Sequence, residues 1–194
     1  MKQATRATHI AVLALLAVLL APAQAQEGDL DPSLGAEQAE SGAEGGAEIR
    51  ARHEDWVVRC QAAPEDAFGS GELCEMYQQV SEQESQQTIL ETVIGYPQGA
   101  EQPVALFNLP LGMRLPPGIQ LRVDDNEALR FPVQICLRSG CRADIELNPE
   151  LLAQMRAGSQ AILTIADPQG RGVELPLSLM GFSAALDDVE ASRN

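Results

Sequence analysis

Four residues separate the two half-cystines of Cys136-Leu137-Arg138-Ser139-Gly140-Cys141, which lie between stretches in which apolar and polar residues alternate. Alternation with period two places successive side chains on opposite faces of a strand. A cysteine pair at this spacing between two such runs reads as a disulfide pinning the turn of a β-hairpin. It directs the chain towards antiparallel sheet, since only antiparallel strands can be joined by so short a turn. Upstream, Ile119, Leu121 and Val123 alternate with Gln120, Arg122 and Asp124. Asp125-Asn126 offers turn chemistry, and Leu129, Phe131, Val133 and Ile135 then alternate with Arg130, Pro132 and Gln134. Downstream, Cys141, Ala143, Ile145 and Leu147 alternate with Arg142, Asp144 and Glu146. Three consecutive strands with one wet face are expected here, as an antiparallel meander. One phase conflict stands out. Cys141 is in phase with Ala143 and Ile145, whereas Cys136 is in phase with polar Gln134 and Arg130. A β-bulge between Phe131 and Cys136 would restore the phase, and Pro132, which cannot donate to a ladder, marks the place.

The same reading yields strands at Trp56–Cys60, with the indole on the buried face, at Cys74–Val80, Thr88–Tyr96, Val104–Leu109 and Ala161–Ala166, and from Val173 to Leu179. Residues 61–71 are a loop by composition. One short helix is expected at residues 149–157. Asn148 caps it, Pro149 fills its first turn, Leu151, Leu152 and Met155 share a face, and Gly158 ends it. Phe182 to Leu186 adds a final helical turn, and the acidic residues 188–194 read as a frayed tail. The fold class is therefore all-β, mainly an antiparallel β-sandwich or barrel-like sheet, with one short helix.

The first 25 residues form a secretory signal: Lys2 and Arg6, an eleven-residue apolar run from Ile10 to Leu20, and Ala23-Gln24-Ala25 as the cleavage site. Eleven helical residues rise only about 16 Å, against roughly 30 Å of hydrocarbon core, so this segment is too short to span. Cleavage near Ala25 leaves eleven arginines against 28 acids, a net charge of −17, and no lysine. Residues 26–50 are an Ala/Gly/Glu linker that cannot bury enough surface to offset its ordering entropy, and are expected to be disordered. One domain, residues 51–187, follows. Its acidity argues against nucleic acid and anionic lipid as partners.

Four cysteines in an exported chain imply two disulfides, and sequence proximity favours Cys60–Cys74 and Cys136–Cys141. Neither pair is a Cys-x-x-Cys redox motif, and oxidised sulfurs leave no zinc set. His53, at the edge of the linker, reads as a solvated residue rather than a catalytic base. Asp124-Asp125-Asn126-Glu127 has calcium-compatible ligand types but lacks the glycine and distal glutamate of an EF-hand loop, and reads as a solvated turn. Arg122, Arg130, Arg138 and Arg142 lie on or beside the polar positions of the meander. They form a possible cationic contact surface, or else pair across strands with Asp124, Asp144 and Glu146. No cofactor and no metal are expected.

Four segments together resemble the invasion associated locus B (IalB) family of exported proteobacterial proteins. They are Trp56-Val57-Val58-Arg59-Cys60, Pro110-Leu111-Gly112, the Cys136–Cys141 loop, and the run from Leu177 to Leu186 that contains Met180-Gly181-Phe182. The resemblance covers residues 54–186. It implies a periplasmic or surface-associated β-rich domain, from a family associated in some pathogens with entry into host cells, and it supplies no catalytic residues. The reading that follows is an exported, non-catalytic binding domain of the bacterial cell envelope, with an envelope or host protein as partner. Two alternatives stand beside it: a periplasmic carboxylate-based hydrolase, and an envelope-assembly factor that takes peptide at an open sheet edge.

Overall fold

The computed structural model describes residues 47–62 and 72–193. The signal segment, residues 26–46 of the linker and most of the 61–71 loop lie outside the described residues.

Among the described residues eleven strands make two antiparallel sheets. The first five are β1 (Glu48–His53), β2 (Trp56–Ala62), β3 (Glu72–Ser81), β4 (Thr88–Gly95) and β5 (Val104–Leu109). The others are β6 (Ile119–Val123), β7 (Leu129–Phe131), β8 (Ile135–Leu137), β9 (Gly140–Glu146), β10 (Gln160–Ala166) and β11 (Gly172–Ser178). The larger sheet runs β1-β2-β3-β4-β5-β9-β8 and the smaller β11-β10-β6-β7. Helix α1 (Pro149–Ala157) joins β9 to β10, and helix α2 (Phe182–Ala191) follows β11.

Period-two patterning has the physical consequence expected of it. Leu90 and Ile94 of β4, Ala105, Phe107 and Leu109 of β5, and Ile119, Leu121 and Val123 of β6 are all buried, as are Leu163 of β10 and Leu177 of β11. Phe107 from the larger sheet meets Phe131 from the smaller at 5.7 Å between ring centroids. Trp56 of β2 meets Phe182 of α2 edge-on at 5.6 Å, so the helix closes the part of the core that the smaller sheet does not reach. One buried polar side chain ties the layers together. Gln78 of β3 donates to Ser178 O and accepts from Ser178 N, each at 3.0 Å, while the Trp56 indole donates to the same carbonyl. The end of β11 is thereby satisfied by side chains from the opposite sheet. Helix α1 begins as expected: the Asn148 side chain accepts from Leu151 N at 2.9 Å, and Leu151 and Met155 are buried.

Several expectations need correction. The meander is not continuous. β7 pairs with β6 in the smaller sheet, and β8 pairs with β9 in the larger. The chain therefore changes sheets through residues 132–134, where Pro132 stands. The irregularity between Phe131 and Cys136 is present, but it is a crossing with a local offset rather than a bulge in one ladder. Gln134 N–H donates to Arg142 O, although Ile135 is the residue opposite Arg142. The Gln134 side chain then takes both backbone groups of Asp144, as a further strand residue would. The linker does not extend to residue 50, since β1 begins at Glu48. An edge strand gains its backbone hydrogen bonds from β2 without burying large side chains, so composition is silent about it. The tail does not fray at 188. α2 continues to Ala191 and buries Val189 beside Leu186. His53 is not a solvated linker residue either: it lies in β1, partly buried, 2.7 Å from Asp188 of α2.

Candidate functional site

The register of the larger sheet sets Gln79 (β3), Glu91 (β4), Asn108 (β5), Arg142 (β9) and Ile135 (β8) side by side, each opposite the next. Paired residues of a sheet point to the same face, so these five form one row across the face turned away from the core. Four of them, Gln79, Glu91, Asn108 and Arg142, floor a groove of about 670 Å³. Its walls are the start of β4 (Thr88, Ile89), the Pro110-Leu111 segment after β5, and the β8–β9 hairpin.

Local chemistry builds each wall. β8 and β9 are joined by Arg138-Ser139, with Leu137 opposite Gly140 and Cys136 opposite Cys141, where the disulfide closes. Gly140 has a φ of 147°, and a Cβ there would stand 2.7 Å from Leu109 O. Only glycine lets the hairpin lie this close to β5. Pro110-Leu111-Gly112 ends β5 at once, because Gly112 takes a φ of 91°. Leu111 is left 54 % exposed, and Leu137 58 % exposed.

The polar groups of the floor divide into two kinds. Glu91 is held: Asn108 Nδ2 donates to its Oε1 at 2.7 Å and the Tyr77 hydroxyl to its Oε2 at 3.3 Å. Burial and then the Glu91 charge push the Tyr77 hydroxyl above its ordinary pKa, so it stays a donor. Arg59, itself paired with Glu75 at 2.6 Å, stacks 4.5 Å over the Tyr77 ring. Arg138 and Arg142, in contrast, have no carboxylate within ion-pair distance among the described residues.

The four arginines singled out by sequence do not share one surface. Arg138 and Arg142 come together at the groove. Arg122 and Arg130 belong to the smaller sheet, where they donate to Asp124 O and Pro117 O. The single stripe and its pairing with Asp124, Asp144 and Glu146 are thus corrected by the sheet crossing. The Asp124 carboxylate accepts from Ser159 N and Gln160 N, both at 3.0 Å, which fixes the start of β10. Cys60, Glu72 and Cys74 cluster closely enough for a metal, but the two sulfurs are bonded to each other and Glu72 pairs with Arg50. His53 contacts Asp188, and among the described residues no serine hydroxyl hydrogen-bonds to it. Sequence reasoning missed Glu91, Asn108 and Leu111, whose roles depend on strands far apart in the chain. It also missed Gln78, although a glutamine in phase with buried Met76 was a visible signal.

The fold and the groove define a class: a disulfide-stapled, two-sheet antiparallel β domain with an open groove at one end of its larger sheet. The family described as "Invasion associated locus B (IalB) protein" matches residues 56–190, and the chain belongs to it. It is 27 % identical over 148 residues to invasion protein B homologs of Brucella abortus strains 2308 and 9-941, covering 76 % of this chain and 82 % of each relative. The crystal structure of invasion associated protein B from Bartonella henselae superposes with a TM-score of 0.65 at 19 % identity. That match covers 75 % of this chain and 97 % of the other, and shows the shared fold.

Proposed function

We propose that this protein is an exported, non-catalytic binding domain of the bacterial cell envelope, and that the groove on its larger sheet contacts an envelope or host protein. Residues 1–25 act as a signal peptide removed near Ala25, delivering the domain to the periplasm or the cell surface. Two disulfides and no free cysteine among the described residues fit an oxidising compartment. No helix among the described residues is long and apolar enough to cross a membrane. The observation that carries the reading is the groove itself. It joins exposed Leu111 and Leu137 to two arginines without acidic partners among the described residues, a mixture of apolar and charged contacts suited to protein recognition. Glu91 is the one carboxylate among its lining residues and is already engaged by Asn108 and Tyr77, where glycoside hydrolysis uses a pair. The invasion names of the relatives suggest that host proteins belong among the candidates.

The test places a photo-crosslinking residue at Leu137 and, separately, at exposed Val173 on the edge of the smaller sheet, in cells expressing the full chain. Discrete protein adducts from position 137 and none from 173 are expected. Equal labelling from both would remove the groove as the contact surface. Turnover in a hydrolase screen that Glu91→Gln abolishes would overturn the non-catalytic reading.

A further inference from the structure

We propose that β8 takes an extended acidic peptide of the partner protein as an added strand, with peptide carboxylates meeting Arg138 and Arg142. This rests on the groove being the contact surface, and adds the geometry and chemistry of what occupies it.

Among the described residues β8 is the last strand of the larger sheet, with β9 on one side and no strand on the other. In an antiparallel pair alternate residues turn their N–H and C=O away from the partner, so β8 offers unused backbone groups at the rim of the groove. The other edges are less open to pairing. β11 carries Pro176, which has no N–H, β7 runs directly into Pro132, and β1 presents Glu48, Arg50 and Arg52. β8 presents Ile135 and Leu137, 49 % and 58 % exposed and on the same face as Arg142. An added strand would set its outward aliphatic residues against these two.

Charge selects the occupant. Residues 49–194 carry 21 acids against eleven arginines, a net charge of −10. Arg50, Arg59, Arg156 and Arg171 are neutralised by carboxylates. Among the described residues Arg138 and Arg142 have no such partner, and Asp144, the next outward residue on β9, lies beyond the groove lining. An acidic segment would complete these two cations, whereas a basic one would meet them unshielded. A second copy of this chain is the poorer occupant. Pairing β8 with β8 gathers four uncompensated guanidinium groups along one seam.

The test uses the full mature chain, labelled with ¹⁵N, and a capped nonapeptide, Thr-Asp-Thr-Val-Thr-Val-Thr-Asp-Thr, with a twin in which lysine replaces aspartate. The acidic peptide is expected to shift the amides of Ile135–Arg142 and to slow hydrogen exchange in β8, with the lysine twin at least ~10-fold weaker. Arg138→Glu with Arg142→Glu, both at exposed positions, should reverse that preference while leaving the melting temperature unchanged. Failure of both peptides to perturb β8 at millimolar concentration overturns strand addition. So does perturbation that the charge reversal leaves untouched, or concentration-dependent dimerisation through β8 in sedimentation. If crosslinks from Leu137 persist while the peptides fail, the groove remains the contact surface and strand addition alone is lost.

Discussion

At the scale of single residues, the clearest design lies where α2 meets the end of β4. The Tyr96 hydroxyl donates to Glu190 Oε1 at 2.8 Å, Arg156 donates to the same oxygen at 3.0 Å, and Arg193 covers the Tyr96 ring at 3.8 Å. Burial first, and then the bond to Glu190, raise the Tyr96 pKa from 10.0 to about 12. The folded state therefore holds this proton more tightly than the unfolded chain does. The resulting stability is fully present below pH 10.0 and is lost as pH rises through about 12. Alkaline melting curves should show that loss in the native protein, and Tyr96→Phe should remove part of it. Tyr96 ionising near pH 10 in an ultraviolet titration, resolved by difference against the Phe variant, would refute the pairing.

At the scale of elements, α2 shows how an acidic terminus can hold a fold together. Read as sequence, Asp187, Asp188 and Glu190 look like a solvated tail. In the structure Asp187 and Glu190 share Arg156 of α1, and Asp188 meets His53 of β1. Beneath them Phe182, Ala185, Leu186 and Val189 form a buried face at helical spacing. Gly181 at the N-cap has a φ of 83°, and a Cβ there would lie 2.1 Å from His53 O, so the helix starts pressed against the turn between β1 and β2. Ending the chain after Asp187 removes Val189, Glu190 and the bond to Tyr96 together. Deleting buried aliphatic and paired polar groups at once should cost about 3–5 kcal/mol. Thermal unfolding of the truncated chain is expected at a much lower temperature, with Trp56 fluorescence shifted to the red as Phe182 loosens. Unchanged melting would mean the last turn contributes nothing.

At the scale of the whole molecule, what could be read in advance follows from what is local. Val104–Leu109, Ile119–Val123 and the Asn148-capped helix carry their pattern within themselves, and the structure places them within a residue of expectation. The sheet crossing after Phe131 was visible only as a phase conflict at Cys136, which a bulge would have produced equally well. The groove could not be read, because its floor draws on residues from Gln79 to Arg142 that only strand order brings together. The disulfides were legible by spacing, and the molecule uses them differently. Cys60–Cys74 joins the interior strands β2 and β3 beside the core, at a sequence separation of 14. Cys136–Cys141 closes the outermost hairpin, at a separation of 5. Loop entropy assigns about 3 kcal/mol to the first and about 2 kcal/mol to the second. For a domain of this size those values correspond to about 10 °C and about 6 °C in melting temperature. Replacing each pair by alanine, which adds no hydroxyl to the buried Cys60 site, should reproduce that order. The two variants should also differ in where they loosen. Loss of Cys136–Cys141 should raise hydrogen exchange in β8 and the hairpin turn while β2 and β3 keep their protection. Loss of Cys60–Cys74 should reach the core through Trp56 and Met76. If the hairpin pair proved the more stabilising, the outer strand would be a structural keystone rather than an adjustable rim, and its availability to a partner would be correspondingly reduced.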